Sequence, residues 1–571
     1  MEKQDYCVCD GMLETFLAYG TDCIFASPGS EWSPLWDAIA RSSAEGRGPQ
    51  FVNTRHEELA VSMAAGYYRQ SGKLPVVVLH STVGTLHASM ALRAARHERI
   101  PMVVLSGDTA GFGEMAGPDP GQQWSVSLAD VGGAAGMAAS CVKRASAVTS
   151  REVLPGMIKD ACRLALTPSF GPVFLSVPFE FMLGPCVTSD PRCAPPPLPA
   201  VAEASAIDEL AIDLARAERP LLITTYAGRD PRAVAELVEL ASTLALPVVE
   251  SRPVYLNFPW NHPLHQGFDT EELLQDADLV LLVATNRPWY PASKRPKGAR
   301  VVLLDEDPGY ELLPYWGYSV DRIITGNLNN SLKQLNAAVR GHVDSYSGGD
   351  ERASRLARLH SMHSRQREQW RDEALAGEQQ RPMTADWVAL VLGASLPADA
   401  IITEEVITQK EALQRHLRRH LPGTYQSRVA GGLGVGLGNA LGLKLASPES
   451  LVTLVVGDGS FNYGPVLAAF GCAQQFGVPI LVVLMDNRGY ASMKRAHLGY
   501  FPGGWSVRTG RFVGSEIEPT PDYAAIARAF GGYGERVEEP AQLREAIERA
   551  IERVQSGQLA LLDVIMENRT V

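Results

Sequence analysis

The sequence predicts an α/β protein built from three doubly wound parallel-sheet domains. Three observations carry that expectation. The chain has 571 residues, several times what one hydrophobic core fills. Short β-branched runs bounded by Pro, Gly or Asp recur along it and are apolar on both faces, as buried parallel strands are. Ala- and Leu-rich stretches of helical length lie between them, so strand and helix alternate.

In chain order the expected strands are 75–80, 101–108, 172–178, 221–225, 279–285, 300–305, 451–457, 479–487 and 559–565, with helices such as 232–246 and 523–530 between them. Two segments break the alternation. Residues 184–204 (GPCVTSDPRCAPPPLPAVAEA) are Pro-rich and without period, an extended linker. Residues 341–381 are strongly polar, and 355–375 fit a solvated helix crossing between domains. These breaks give domains at 1–185, 200–345 and 380–571. The first and third can share a sheet topology without sharing sequence.

Composition narrows the function classes. The chain is 46% hydrophobic and 20% charged, ordinary for a globular protein. Its 52 Lys and Arg against 64 Asp and Glu give a net charge of -12, which argues against nucleic acid or an anionic membrane as the main partner. No apolar run approaches the roughly 18 residues needed to cross a bilayer. The opening MEKQDYCVCDGM carries charge where a signal peptide is apolar, so a soluble, cytoplasmic protein is expected. The eight cysteines (7, 9, 23, 141, 162, 186, 193 and 472) form no CxxC pair, against a disulfide framework or zinc site, and Cys7 and Cys9 are read as an incidental pair.

The chemistry concentrates at two strand ends. In VVGDGSFNYG a buried strand closes on Gly457, Asp458, Gly459 and Ser460; in PILVVLMDNRGY the next closes on Asp486, Asn487, Arg488 and Gly489. Ligands of open α/β sheets bind at such carboxyl ends. Asp458 supplies a hard carboxylate, Asn487 a neutral carbonyl oxygen and Gly489 a backbone oxygen, a donor set suited to Mg2+ with room for two phosphate oxygens and a water. The glycines admit a diphosphate close to backbone N–H groups.

This pairing resembles the thiamine diphosphate motif, GDG followed some thirty residues later by Asn, of the acetohydroxyacid synthase, pyruvate oxidase and benzoylformate decarboxylase superfamily. Here the spacing from Asp458 to Asn487 is 29, and the usual Asn-Asn is Asp486-Asn487. The resemblance covers nearly the whole chain. It implies a pyrimidine-binding, a central and a diphosphate-binding domain, with thiamine diphosphate and Mg2+ as cofactors.

The same resemblance assigns residues in the first domain. TRHEELAVSMAAGYYRQSGK looks like the family's glutamate helix, and Glu57, nine residues before Gly66, is the carboxylate that shares a proton with the cofactor's aminopyrimidine. Adjacent Glu58 is expected to be a solvent-facing helix charge. In SRVAGGLGVGLGNALG, Leu433 falls where relatives wedge the cofactor into its bent shape and Gly431 where a carbonyl receives its amino group. Ser30 of SPGSEW and His80 of VVLHSTVGT match benzoylformate decarboxylase, including the 23-residue step from Glu57 to His80. Ser30 is then a substrate-carboxylate ligand and His80 a proton relay. Gln122 of GPDPGQQW resembles a glutamine of the acetohydroxyacid synthase turn.

The chain also departs from the pattern. Benzoylformate decarboxylase carries a second histidine on its central domain, where this chain reads ATNRPWYPASK. His262 and His265 look like a family turn, and His87 and His97 like packing or solvent residues. The central unit lacks a complete GxGxxG fingerprint, so FAD is not predicted. Trp289, Tyr290, Tyr490 and Trp505 are candidates to line the substrate pocket.

The expected activity is acetolactate-synthase-like: decarboxylation of a 2-oxo acid and transfer of the acyl unit to a carbonyl acceptor. A non-oxidative decarboxylase and a 2-hydroxyacyl lyase are the alternatives, with a non-catalytic regulatory homologue last. The resemblance implies a homodimer whose sites take Glu57 and Asp458 from different chains, with a homotetramer as a dimer of dimers.

Overall fold

A computed structural model describes residues 7–109, 125, 131–185, 194–346, 349–428 and 431–568. It contains three all-parallel sheets. The first holds β1 (Cys23–Ser27), β2 (Gln50–Asn53), β3 (Val76–Leu79), β4 (Met102–Asp108), β5 (Arg144–Ala147) and β6 (Pro172–Pro178), in the order β2-β1-β3-β4-β6-β5. The second holds β7 (Pro220–Thr224), β8 (Val248–Glu250), β9 (Leu279–Val283), β10 (Arg300–Asp305) and β11 (Arg322–Thr325), in the order β11-β10-β9-β7-β8. The third holds β12 (Ile401–Glu405), β13 (Tyr425–Gln426), β14 (Val452–Gly457), β15 (Leu481–Asp486), β16 (Tyr533–Val537) and β17 (Ala560–Ile565), in the order β13-β12-β14-β15-β17-β16.

Counted from its own first strand, the third sheet repeats the order of the first, 2-1-3-4-6-5. In both, the strand order reverses direction between the first and third strands, which opens a crevice at their carboxyl ends. Ser30 and His80 follow the two strands flanking that crevice in the first sheet; Glu405 and Asp458 end or follow the equivalent pair in the third.

The first and third sheets share a core. Helix Glu57–Ser71 lies against helix Gly436–Ala446, and Val61, Ala64 and Ala65 are buried in one cluster with Leu437, Ala440 and Leu441. Glycine permits that approach: a Cβ at Gly66 would strike the Asn439 backbone, and one at Gly442 the backbone of Met63. Each large side chain buried there contributes roughly 1.5–3 kcal/mol.

The polar crossing segment is a helix, Gly349–Ala376, with Leu359, His363 and Ala374 buried. Leu359 joins the core of the second sheet. Farther along, Trp370 lies beneath Arg367 and Arg415 at 4.4 and 5.5 Å, bringing the helix against the third unit. Arg355 caps carbonyls of Leu244, Ala245, Ala217 and Glu218. Among the described residues no helix is long and apolar enough to cross a membrane.

Candidate active site

Two groups of the sequence-predicted residues assemble, one on each related sheet. In the first, Glu57 opens its helix behind the N-cap His56. His80 follows β3, and Gly84 lies close to both, with Glu57 Cγ at 3.2 Å and His80 Cβ at 3.4 Å from where its Cβ would be. Ser30 stands exposed on the turn after β1.

The residue that organises this group is Glu31, which the sequence reading missed. Glu31 is 2% exposed and both its carboxylate oxygens meet His80 Nδ1, at 2.9 and 3.0 Å. The hydrogen bond to Glu31 raises the His80 pKa from its ordinary value against the opposing effect of burial, with the charges of Glu31 and Glu57 adding to the rise. A Cβ at Gly29 would strike the His80 ring and the Glu31 carboxylate, and one at Gly107 would strike Glu31, so two glycines clear the space for this pair. The signal was present: SPGSEW places a glutamate one residue after Ser30, on the turn facing the end of β3.

One expectation holds with an added contact and one is corrected. His87 is exposed, as expected of a solvent residue, and its Nδ1 also lies 3.1 Å from Glu57 Oε2 with its ring stacked on His56 at 5.5 Å. The cause is helical spacing, since the helix Ser81–His97 runs past the start of the Glu57 helix. Glu58 is not a solvent-facing charge. Its Oε1 is buried without a hydrogen-bond partner, and burial pushes its carboxyl up to about 7 against the pull of Arg428.

In the second group Asp458 is buried, with Oδ1 accepting from Gly459 N at 2.8 Å and Oδ2 from Gly489 N at 2.9 Å. The two strand ends are thereby joined. Burial, and secondarily the charge of Asp486, pushes the Asp458 carboxyl up to about 7. Asn487 is 4% exposed and its Oδ1 has no hydrogen-bond partner. A buried carboxylate beside an orphaned amide oxygen is a hard-donor set, so these residues fit Mg2+.

The glycine-rich segment after residue 430 touches both units: a Cβ at Gly432 would strike Met90, and one at Gly434 the Tyr463 backbone. Gly431 has φ +55°, and its carbonyl accepts from Arg93 Nη1 at 3.0 Å. Leu433 is half-buried. Gly434 and Gly436 donate their N–H groups to the two oxygens of Glu405 at 3.1 and 3.0 Å. Burial pushes that glutamate up to about 7. Glu405 was also missed, because it ends a strand whose polar residues hide it.

Three of the nine non-glycine residues with positive φ among the described residues lie at these groups. Arg55 (φ 62°), Ser81 (φ 26°) and Arg488 (φ 57°) lie beside Glu57, His80 and the Asn487–Gly489 turn. Such conformations cost about 1–3 kcal/mol each and gather at functional sites. Ser81 is held by its carbonyl, which accepts from Thr85 Oγ1 and Ser106 Oγ, both at 2.9 Å.

The other candidates scatter. Gln122 lies outside the described residues. Trp289 is packed in the core of the second sheet, whereas Tyr290 and Trp505 stand exposed; Tyr490 meets Tyr463 edge-on at 6.4 Å. Among the described residues no hydrogen bond or ion pair joins Glu57 or His80 to Asp458, Asn487 or Gly489.

Two related sheets, each with polar residues at its crevice, define the architecture of the thiamine pyrophosphate (thiamine diphosphate) enzymes, and the chain belongs to that family. Its N-terminal TPP binding domain matches residues 8–111, its central domain 207–335 and its C-terminal TPP binding domain 407–564. Among curated proteins the chain is similar to the benzoylformate decarboxylase of Pseudomonas aeruginosa, 26% identical over 91% of each chain. It is also similar to the acetolactate synthase isozyme 3 large subunit of Escherichia coli, 25% identical over 97% of this chain and 94% of that one. The crystal structure of benzoylformate decarboxylase from Polynucleobacter necessarius superposes with a TM-score of 0.80 at 19% identity, covering 99% of both chains, a likeness of fold. The protein is thus a thiamine diphosphate-dependent enzyme of the 2-oxo acid decarboxylase and acetolactate synthase superfamily.

Proposed function

We propose that this enzyme is a Mg2+-dependent carboligase that removes CO2 from a 2-oxo acid and joins the remaining acyl unit to a carbonyl acceptor. Thiamine diphosphate, when bound, supplies the carbon nucleophile and the electron sink for breaking the bond beside the keto group. The chain supplies the rest. Asp458, Asn487 and the Gly489 carbonyl would hold Mg2+ and through it the diphosphate, with Gly457, Gly459 and Ser460 lining the approach. Glu57 would hold a proton against the pyrimidine, while Gly431 and Leu433 set the cofactor's pose.

The observation that carries the reading is the Glu31–His80 pair. With Nδ1 engaged by a buried carboxylate, His80 has Nε2 left to give a proton to the oxygen formed when the acceptor carbonyl is attacked. Ser30, on the adjacent turn, would bind the substrate carboxylate, and Gln122 is proposed beside them. The same pair supports a second reading: His80 gives its proton to carbon, and an aldehyde leaves, as expected of a benzoylformate decarboxylase type.

We further propose a homodimer, or a dimer of dimers, in the cytoplasm, with each site completed by a second copy. Val83, Leu86 and Met90 stand exposed along one face of the helix that follows His80, with Tyr463 and Leu467 exposed beyond the Asp458 turn. The deciding experiment measures CO2 from a panel of 2-oxo acids with thiamine diphosphate and Mg2+, with and without aldehyde acceptors, and the product mass. A product carrying the acceptor's mass supports the carboligase. CO2 with free aldehyde selects the decarboxylase, and no consumption of any acid overturns both.

A further inference from the structure

His56, Glu57 and His87 each offer a ligand atom, and these atoms all lie within 4.8 Å of one another. The three come from two helices: His56 caps one and Glu57 opens it, while His87 lies on the other. From this juxtaposition we propose that the cofactor-free enzyme has a second metal site, for a borderline divalent ion such as Zn2+, whose occupation competes with thiamine diphosphate. The competition rests on the reading of Glu57 given above; the metal site does not.

Donor chemistry separates this site from the one at Asp458. Two imidazoles and one carboxylate form a three-ligand set that leaves a fourth position for water in tetrahedral Zn2+. The Asp458 set is all oxygen and suits Mg2+. Metal binding needs the uncharged imidazole, and burial of His56 disfavours its charged form. His56 Nδ1 now accepts a 3.2 Å bond from Glu58 N, a long contact that a metal can replace. The two rings lie nearly parallel, 9° apart, so one must turn for both to face a single ion. His87, with a side chain 65% exposed in the single chain, has room to do so once it exchanges its stack on His56 for the metal. Glu57 Oε2, already 3.1 Å from His87 Nδ1, then bridges to metal where it now bridges to imidazole.

The test uses the full chain, stripped of cofactor by chelation and carrying Asp458→Ala to remove the oxygen-donor site. Calorimetric titration with Zn2+ is expected to show one equivalent per chain, lost in His87→Asn and in His56→Asn, while Mg2+ gives no binding. Zn2+ binding that survives both substitutions in folded protein, checked by circular dichroism, overturns the site, as does no binding at all. In protein with Asp458 intact and Mg2+ in excess, Zn2+ at about ten times its Kd should raise the half-saturating thiamine diphosphate concentration about tenfold, and His87→Asn should remove that shift. If Zn2+ binds through His56 and His87 and cofactor affinity does not move, the metal site stands and the role given to Glu57 falls.

Discussion

Glu31 grips His80 by one ring nitrogen, both carboxylate oxygens lying about 3 Å from Nδ1 inside a space kept open by Gly29 and Gly107. The pair fixes which nitrogen faces the site and favours the imidazolium, since the hydrogen bond to Glu31 raises the pKa. A raised base stays protonated below its ordinary pKa and loses its proton as pH rises through the new, higher one. If His80 acts as an acid, the alkaline limb of turnover is displaced upward from where an ordinary histidine would put it. Glu31→Gln should move that limb to lower pH and slow turnover roughly tenfold, with His80→Ala costing roughly a hundredfold or more. An unmoved limb in Glu31→Gln would return His80 to a structural role.

The orphaned Asn487 oxygen and the buried Asp458 carboxylate predict a cation dependence. Asp458→Ala should abolish Mg2+-dependent cofactor binding, and Asn487→Ala should weaken it by roughly tenfold to a hundredfold. Prolonged chelation should remove activity, restored by Mg2+ with thiamine diphosphate. Fluorescence titration of cofactor binding checks this, and affinity unchanged in Asp458→Ala would refute the assignment.

Glu405 carries a stability prediction. Its carboxyl, pushed up to about 7 by burial, keeps a proton in the folded chain that an unfolded chain gives up near the ordinary carboxylate pKa of 4.5. The folded state therefore binds more protons across that window, and this group's contribution falls as pH rises from about 4.5 to about 7. Glu405→Gln lacks the titration. Relative to wild type its Tm should improve between pH 5 and pH 8, even if Gln fits the Gly434 and Gly436 N–H groups less well. A constant difference would place the Glu405 pKa near its ordinary value.

The legible parts of the fold were those where burial writes a continuous apolar run. Strands β3, β4, β6, β7, β9, β10, β14, β15 and β17 were readable because both faces are covered. Edge strands were not: β2 (QFVN), β5 (RASA) and β11 (RIIT) expose much of their length and carry no such run. In the site, Asp458, Asn487 and Glu57 stood out because they sit in glycine-rich turns or a recognisable helix start. Glu31, Glu405 and His87 act across the fold, between elements far apart in sequence, and linear spacing gives no distance between them. The matching strand order of the first and third sheets was equally invisible, since topology depends on which strands neighbour which.

The exposed stripe of Val83, Leu86 and Met90 predicts self-association. Met90→Glu would bury a charge in a closed interface, so it should shift the chain toward monomer in sedimentation and lower specific activity at dilute protein. A variant that remains fully associated would remove this face from the interface.

We propose that Glu57 and Asp458 serve one site from different copies of the chain. Mixing Glu57→Gln with Asp458→Ala protein, each inactive alone, and letting subunits exchange tests it by CO2 release. Random pairing puts half the chains into mixed dimers with one intact site of two, so about one quarter of wild-type activity should return. A mixture in which exchange is verified but which stays as inactive as its components would contradict the claim.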